Sequence, residues 1–155
     1  MKALVAILIF AISPAAFAQA DCPMHAQHMA EVERRHDAAA VSHELSAHKF
    51  VPAPDGGAIE LRATNPEDRK TIDAIRKHLR EITSDFQKAD FSTPEFVHGR
   101  MPAGVATMIE LKSAIRYRYE ELESGARVVI STGNERALAA VHEFLRFQIH
   151  EHDAH

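Results

Sequence analysis

Scarcity frames this sequence before any motif does. It has one cysteine, no tryptophan, two tyrosines and six glycines in 155 residues. A lone cysteine, Cys22, excludes an internal disulfide framework, an all-cysteine zinc site, a CxxC redox pair and a CxxCH haem attachment site. A surplus of basic charge is missing too. Eighteen Lys and Arg stand against 22 Asp and Glu, for a net charge of −4, and no basic cluster interrupts the balance. Nucleic acid and anionic membrane surfaces are therefore poor partners. GxSxG, GxGxxG and Walker loops are absent, and two HExxH frames fail at the second ligand. His43-Glu44-Leu45-Ser46-Ala47 ends in alanine, and His142-Glu143-Phe144-Leu145-Arg146 ends in arginine.

Long apolar runs are also rare, and the one that stands out is at the start. Lys2 precedes the apolar stretch from Leu4 to Ile12, and Ala16-Phe17-Ala18 and Ala18-Gln19-Ala20 offer small residues for cleavage. The run falls short of the ~20 residues that span a bilayer. It reads as a signal peptide over residues 1–20, and Asp21 before Cys22 disfavours lipidation. The expectation is an exported protein, periplasmic or secreted, with no membrane partner once the signal is removed.

The remainder carries a duplicated pattern. Ile115, Tyr117 and Tyr119 alternate with Arg116, Arg118 and Glu120, Ser124-Gly125 turns, and Val128, Ile130 and Thr132 alternate back. Asn134 then caps a helix with Leu138, Val141, Leu145 and Ile149 in one stripe. Earlier, His48 and Phe50 alternate, Pro54-Asp55-Gly56-Gly57 turns, and Ile59, Leu61 and Ala63 alternate back. Asn65-Pro66-Glu67-Asp68 reads as a cap and acidic first turn for a helix with the stripe Ile72, Ile75, Leu79 and Ile82. SAHKF overlays SAIRY, GGAIEL overlays GARVVI, and IRKHLREI overlays VHEFLRFQI, with gaps of one or two residues. The expected fold is α+β: a four-stranded antiparallel sheet from two strand-strand-helix units, with both helices on one face. Residues 21–45 form an N-terminal helix, and 46–155 form a single domain with repeat units 46–88 and 113–152. The linker 89–112 is rich in Pro and Gly, with a short helix over Val105 to Leu111.

Histidine is the one residue in excess, at eleven. The string Cys22-Pro-Met24-His25-Ala-Gln-His28-Met29 gathers thiol, thioether and imidazole in eight residues. Thiolate and thioether select Cu(I), and imidazole suits copper, zinc and nickel. His25, Met29, His36 and His43 fall nearly in line on a helix. The loop His98-Gly99-Arg100-Met101 could add His98 and Met101. His48 takes the inward strand position that the overlay gives to Ile115, and His78 and His142 lie at the borders of their helix stripes. The set His48, His78 and His142 either converges on a site or is held structurally by neighbouring carbonyls and carboxylates. The tail carries His150, His152 and His155, a tract suited to weak metal capture.

Several of these strings together resemble one group of small exported bacterial proteins of uncharacterised function. They are Cys22 to Met29, His48-Lys49-Phe50, Asp55-Gly56-Gly57, Ile75 to Leu79, Asp90-Phe91-Ser92-Thr93-Pro94 and His142 to His152. The resemblance covers nearly all of the chain after the leader and implies export and a shared fold. Some members carry the name aspartate carbamoyltransferase. That activity does not fit, because such an enzyme is a much longer two-domain protein with a Ser-Thr-Arg-Thr phosphate loop, and no such loop is present. The group pairs two histidines in the first strand, where this chain has His48-Lys49.

The leading expectation is thus a periplasmic transition-metal-binding protein, copper first, serving as chaperone, buffer or resistance factor. Its ligands would be Cys22, Met24, His25, His28 and Met29, with His48, His98, Met101 and His142 as a second set. Cys22 is also free to link two chains into a dimer, and a haem needs only one axial histidine. The alternative is a binding module for a small ligand or protein partner, with a pocket between the sheet face and residues 91–104. An enzyme using histidine as acid or base comes last, since no nucleophile–base pair emerges by spacing.

Overall fold

Two hairpins share one sheet because their inner strands pair with each other. The computed structural model describes Gln27, Ala30, Glu31, Arg34, Arg35 and residues 41–152. The order is β1 (Ser46–Ala53), β2 (Gly56–Ala63), α1 (Arg69–Gln87), α2 (Ser92–His98), α3 (Val105–Glu110), a 3-10 turn (Lys112–Ala114), β3 (Ile115–Leu122), β4 (Gly125–Thr132) and α4 (Glu135–His152). The strands lie in the order β1-β2-β4-β3, antiparallel throughout. This is the α+β architecture expected from the duplicated pattern.

The register makes the repeat closer than the sequence overlay did. Both hairpins turn on two residues, Pro54-Asp55 and Glu123-Ser124, and the glycines that follow open β2 and β4. His48 pairs with Leu61 and Tyr117 with Ile130, the third residue of one strand facing the sixth of the next in both units. The counterpart of His48 is therefore Tyr117, not Ile115. A slip of two residues keeps the same face, so the inward direction of His48 stands. At the β2–β4 seam, a Cβ on Gly56 would lie 2.0 Å from the Ile130 carbonyl oxygen, and one on Gly125 2.0 Å from that of Leu61. Both strand-opening glycines let the neighbouring backbone approach.

Ile59, Leu61, Ala126, Val128, Ile130, Ile115 and Tyr117 point to one face and are buried there. The opposite face carries Lys49, Glu60, Arg127 and Glu120 in one cross-strand row of alternating sign. Arg127 Nε donates to Glu120 Oε2 at 2.5 Å within it. Opposite charges in register suit a face left to water.

The helices cover the apolar face crosswise. α1 follows the first hairpin but packs on β3 and β4 as well as β2, while α4 follows the second hairpin and packs on β1 and β2. In α1 the stripe Ile72, Ile75, Leu79 and Ile82 is buried as expected, extended by Phe86. Its cap is Asp68, whose side chain accepts from Thr71 N at 3.2 Å, because Asn65 is spent on a turn to Glu67 N at 3.0 Å. Asn134 caps α4 as expected, accepting from Ala137 N at 3.0 Å. The buried face of α4 keeps Val141 and Leu145 of the expected stripe and adds Ala137, Ala140, Phe144, Gln148 and Glu151, while Leu138 and Ile149 are only half-buried. The face is wider than the single row expected, and the two ends of that row fall at its border.

Two corrections concern the segments outside the repeats. Residues 43–45 form a turn, so the N-terminal helix does not reach 45; among its described residues, Gln27, Ala30, Glu31, Arg34 and Arg35 are helical. The linker 89–112 holds a second helix besides the expected one, since Ser92 opens α2. Asp90 Oδ1 accepts from Ser92 N at 2.9 Å, and Pro94 sits in the first turn, where a missing N–H costs nothing. α3 covers most of the short helix expected there.

Each long helix also clamps the hairpin turn of the opposite unit. Arg76 of α1 donates to the carbonyls of Leu122 at 2.9 Å and Gly125 at 3.3 Å, which flank the β3–β4 turn. His142 Nε2 of α4 donates to the carbonyls of Ala53 at 2.9 Å and Gly56 at 3.1 Å, which flank the β1–β2 turn. Arg76 and His142 occupy matched places in the overlaid helices, Ile75-Arg76 on Val141-His142. Replacing either by leucine removes two cross-unit hydrogen bonds, and each change is expected to lower stability by about 1–2 kcal/mol. Urea unfolding midpoints of Arg76→Leu and His142→Leu check this; an unchanged midpoint for both would show that the clamps carry no weight.

Candidate functional site

Where the two helices diverge at the β1 edge, the sheet is left with a gap. α1 contributes His78, Leu79, Ile82 and Phe86; α4 contributes Phe144, Gln148 and His152. α2 closes one side with Thr93, Pro94, Val97 and His98, and the floor is His48 and Phe50 of β1 with Ile59 and Leu61 of β2. The result is a cavity of about 70 Å³, open to solvent. At roughly 10–15 Å³ for one water, it has room for about five waters or a small organic group. Its walls are aliphatic and phenyl, and its polar atoms are mainly imidazole.

The histidines whose rings touch come from four separate pieces of chain. His43, in the turn before β1, stacks on His48 with ring centroids 4.5 Å apart and on His152 at 5.0 Å. His48 and His152 lie 5.5 Å apart, and Phe50 packs on His152 at 4.9 Å. His98 meets His152 edge-on at 5.5 Å. His98 is the last residue of α2, set in place by Gly99 in the left-handed C-cap conformation, φ 66°.

His98 anchors a polar chain that runs along α4. Its Nε2 donates to Gln148 Oε1 at 2.8 Å, and its Nδ1 faces Glu151 Oε2 at 3.7 Å. Arg100 completes the chain, donating to Glu151 Oε1 at 2.9 Å while its guanidinium lies over the Phe147 ring. His98, Gln148 and Glu151 are 2, 3 and 6% exposed, so all three are held by each other rather than by bulk water.

Burial governs the charge state of the rim. Removal from water, then the fields of His43 and His78, push the His48 imidazolium down to about 3. Removal from water also lowers His78, with Glu81 opposing it. His48 is thus a neutral imidazole at physiological pH, in keeping with rings that stack face to face.

The expected ligand residues divide into three groups. His48 and His98 come together on the cavity, joined by His78, which the sequence groups with His48 and His142, and by His152 from the tail. His142 does not join them: it lies ten residues from His152 along α4, ~15 Å at the rise of an α-helix, and is engaged with the β1–β2 turn. Met101 has an exposed side chain. Cys22, Met24, His25, His28 and Met29 lie outside the described residues, as do His36 and His155.

Among the described residues, no three His, Cys, Asp or Glu side chains are disposed to hold a metal ion. The stack explains this. An imidazole binds a metal in its own plane, about 2 Å from the nitrogen. His43 and His152 are 9° from parallel and His43 and His48 20°, so their planes do not meet at a shared ion without ring rotation. Sequence reading missed His43, Gln148 and Glu151 as parts of this site. Gln148 and Glu151 do carry a signal, since they continue the 3-4 spacing of Ala137, Val141 and Phe144.

No family model matches the chain, and no curated protein or solved structure matches it significantly.

The His48 imidazole gives a test with a definite sign. Its folded-state pKa is depressed from 6.5 to about 3, so its share of stability is present above pH 6.5 and lost as pH falls toward 3. The loss approaches about 1.4 kcal/mol per pH unit from this group inside that window. His48→Leu is expected to flatten the decline in urea midpoint between pH 7 and pH 4.5; a slope equal to wild type would show that His48 is not held neutral.

Proposed function

We propose that this chain is an exported binding protein for a small, mainly apolar ligand seated in the cavity between sheet, α1, α2 and α4. The observation that carries the reading is the composition of that cavity: phenyl and aliphatic walls beneath a rim of histidines. A pocket with apolar sides and a few polar groups at one end is the usual form of a small-molecule site. Phe50, Ile82, Val97 and Phe144 supply the apolar contact, and the imidazole of His78 and the side-chain amide of Gln148 supply hydrogen-bonding groups in the lining. The apolar run from Leu4 to Ile12 supports export to a periplasmic or extracellular setting. No nucleophile with an adjacent base stands out in the cavity, so the reading is of binding rather than catalysis.

Phenol is a suitable probe, with one ring and one hydroxyl. Calorimetric titration is expected to give saturable binding, and Val97→Phe, which fills the space from α2, is expected to weaken it at least tenfold. Binding that is absent from wild type, or untouched by Val97→Phe, would remove the cavity from the account.

A second reading, metal handling, is supported by the sequence, where thiol, thioether and imidazole gather in the eight residues from Cys22 to Met29. In this reading Cys22, Met24, His25, His28 and Met29 take up copper, or zinc or nickel. A copper titration of the chain from residue 21, beside one truncated before Ala30, checks it. Tight uptake lost on truncation is the expected result; no uptake by either would end the metal reading.

A further inference from the structure

Resting on that ligand-binding reading, we infer that the cavity selects uncharged ligands over anionic or cationic molecules of the same shape. Among the described residues, neither a lysine nor an arginine lines it, and neither does an aspartate or glutamate. An ion placed against Phe50, Leu79 and Phe144 would leave water without a counter-charge, at a cost far above that of a neutral hydrogen-bonding group. The histidines of the lining do not make up the loss for an anion. His48, which forms part of the floor, stays a neutral imidazole well below physiological pH, and burial pushes His78 the same way.

Three cations on the flanking elements have carboxylate partners. Arg80, one helical position from Leu79 on the solvent side, binds Glu121 at 2.6 Å, and Arg100 binds Glu151 at 2.9 Å. Lys88 lies 3.5 Å from Asp85. A neutral imidazole such as that of His78 can donate from one nitrogen and accept at the other, which suits hydroxyls and amides, since they do both. The ligand class is therefore a small molecule with an apolar body and one uncharged polar head, such as an amide, alcohol or phenol.

Benzamide, benzoate and benzamidinium share a shape and differ in charge, which isolates this property. Binding of each to the wild-type chain at pH 7 is followed by NMR shifts at Phe50, Ile82 and Val97. Benzamide is expected to bind at least tenfold more tightly than either ion. Equal affinity for all three, or preference for an ion, would overturn the charge selection while leaving the cavity as a ligand site. No shifts at these residues with any of the three would overturn the cavity reading itself, and this inference with it. His78→Arg places a permanent cation at the mouth and is expected to raise benzoate affinity several-fold; no gain in a variant that remains folded would also count against charge selection.

Discussion

The pairing of β2 with β4 is the contact on which everything else in this fold rests. It joins two hairpins that would each be marginal alone into a four-stranded sheet with a single apolar face. Its ends are tight enough that Gly56 and Gly125 each stand against a carbonyl of the facing strand. Once the seam is set, the crossed helices follow. Each long helix covers strands of the other unit, and each ties down the other unit's turn, through Arg76 on one side and His142 on the other. The duplicated halves are therefore interlocked rather than merely adjacent.

The cavity is where the two halves differ. The second inward position of β1 is His48, and that of β3 is Tyr117. Tyr117 packs edge-on against Phe86 in an aromatic cluster that Phe91 and Phe144 complete. Around His48 the equivalent space is taken by other histidines and is left partly open. α2 has no partner in the second unit, and it is α2 that brings His98 and Val97 to the gap. One half of the pseudo-symmetric core is thus closed by phenyl rings, and the other is left as a recess whose phenyl and aliphatic walls carry the histidines.

The sheet and the α1 stripe were legible in sequence because they depend on local period: alternation in strands, and Ile72, Ile75, Leu79 and Ile82 in a helix. The site was legible only in fragments. His48 stood out because a histidine occupied an inward strand position, and His98 because it lay in the linker. Their meeting with His43 and His152 depends on a turn, a strand, a short helix and the end of a long helix converging, which no spacing encodes. His142 misled for the opposite reason. Its overlay on Arg76 held the answer, but a guanidinium and an imidazole doing the same work on two carbonyls is visible only once the turns they grip are in place.

The central claim is that the recess is a ligand site, and intermolecular nuclear Overhauser contacts test it most directly. Phenol at saturating concentration is expected to give contacts from its ring protons to Phe50, Ile82 and Phe144. Contacts confined to other surfaces, or none at any concentration that leaves the protein folded, would contradict the account.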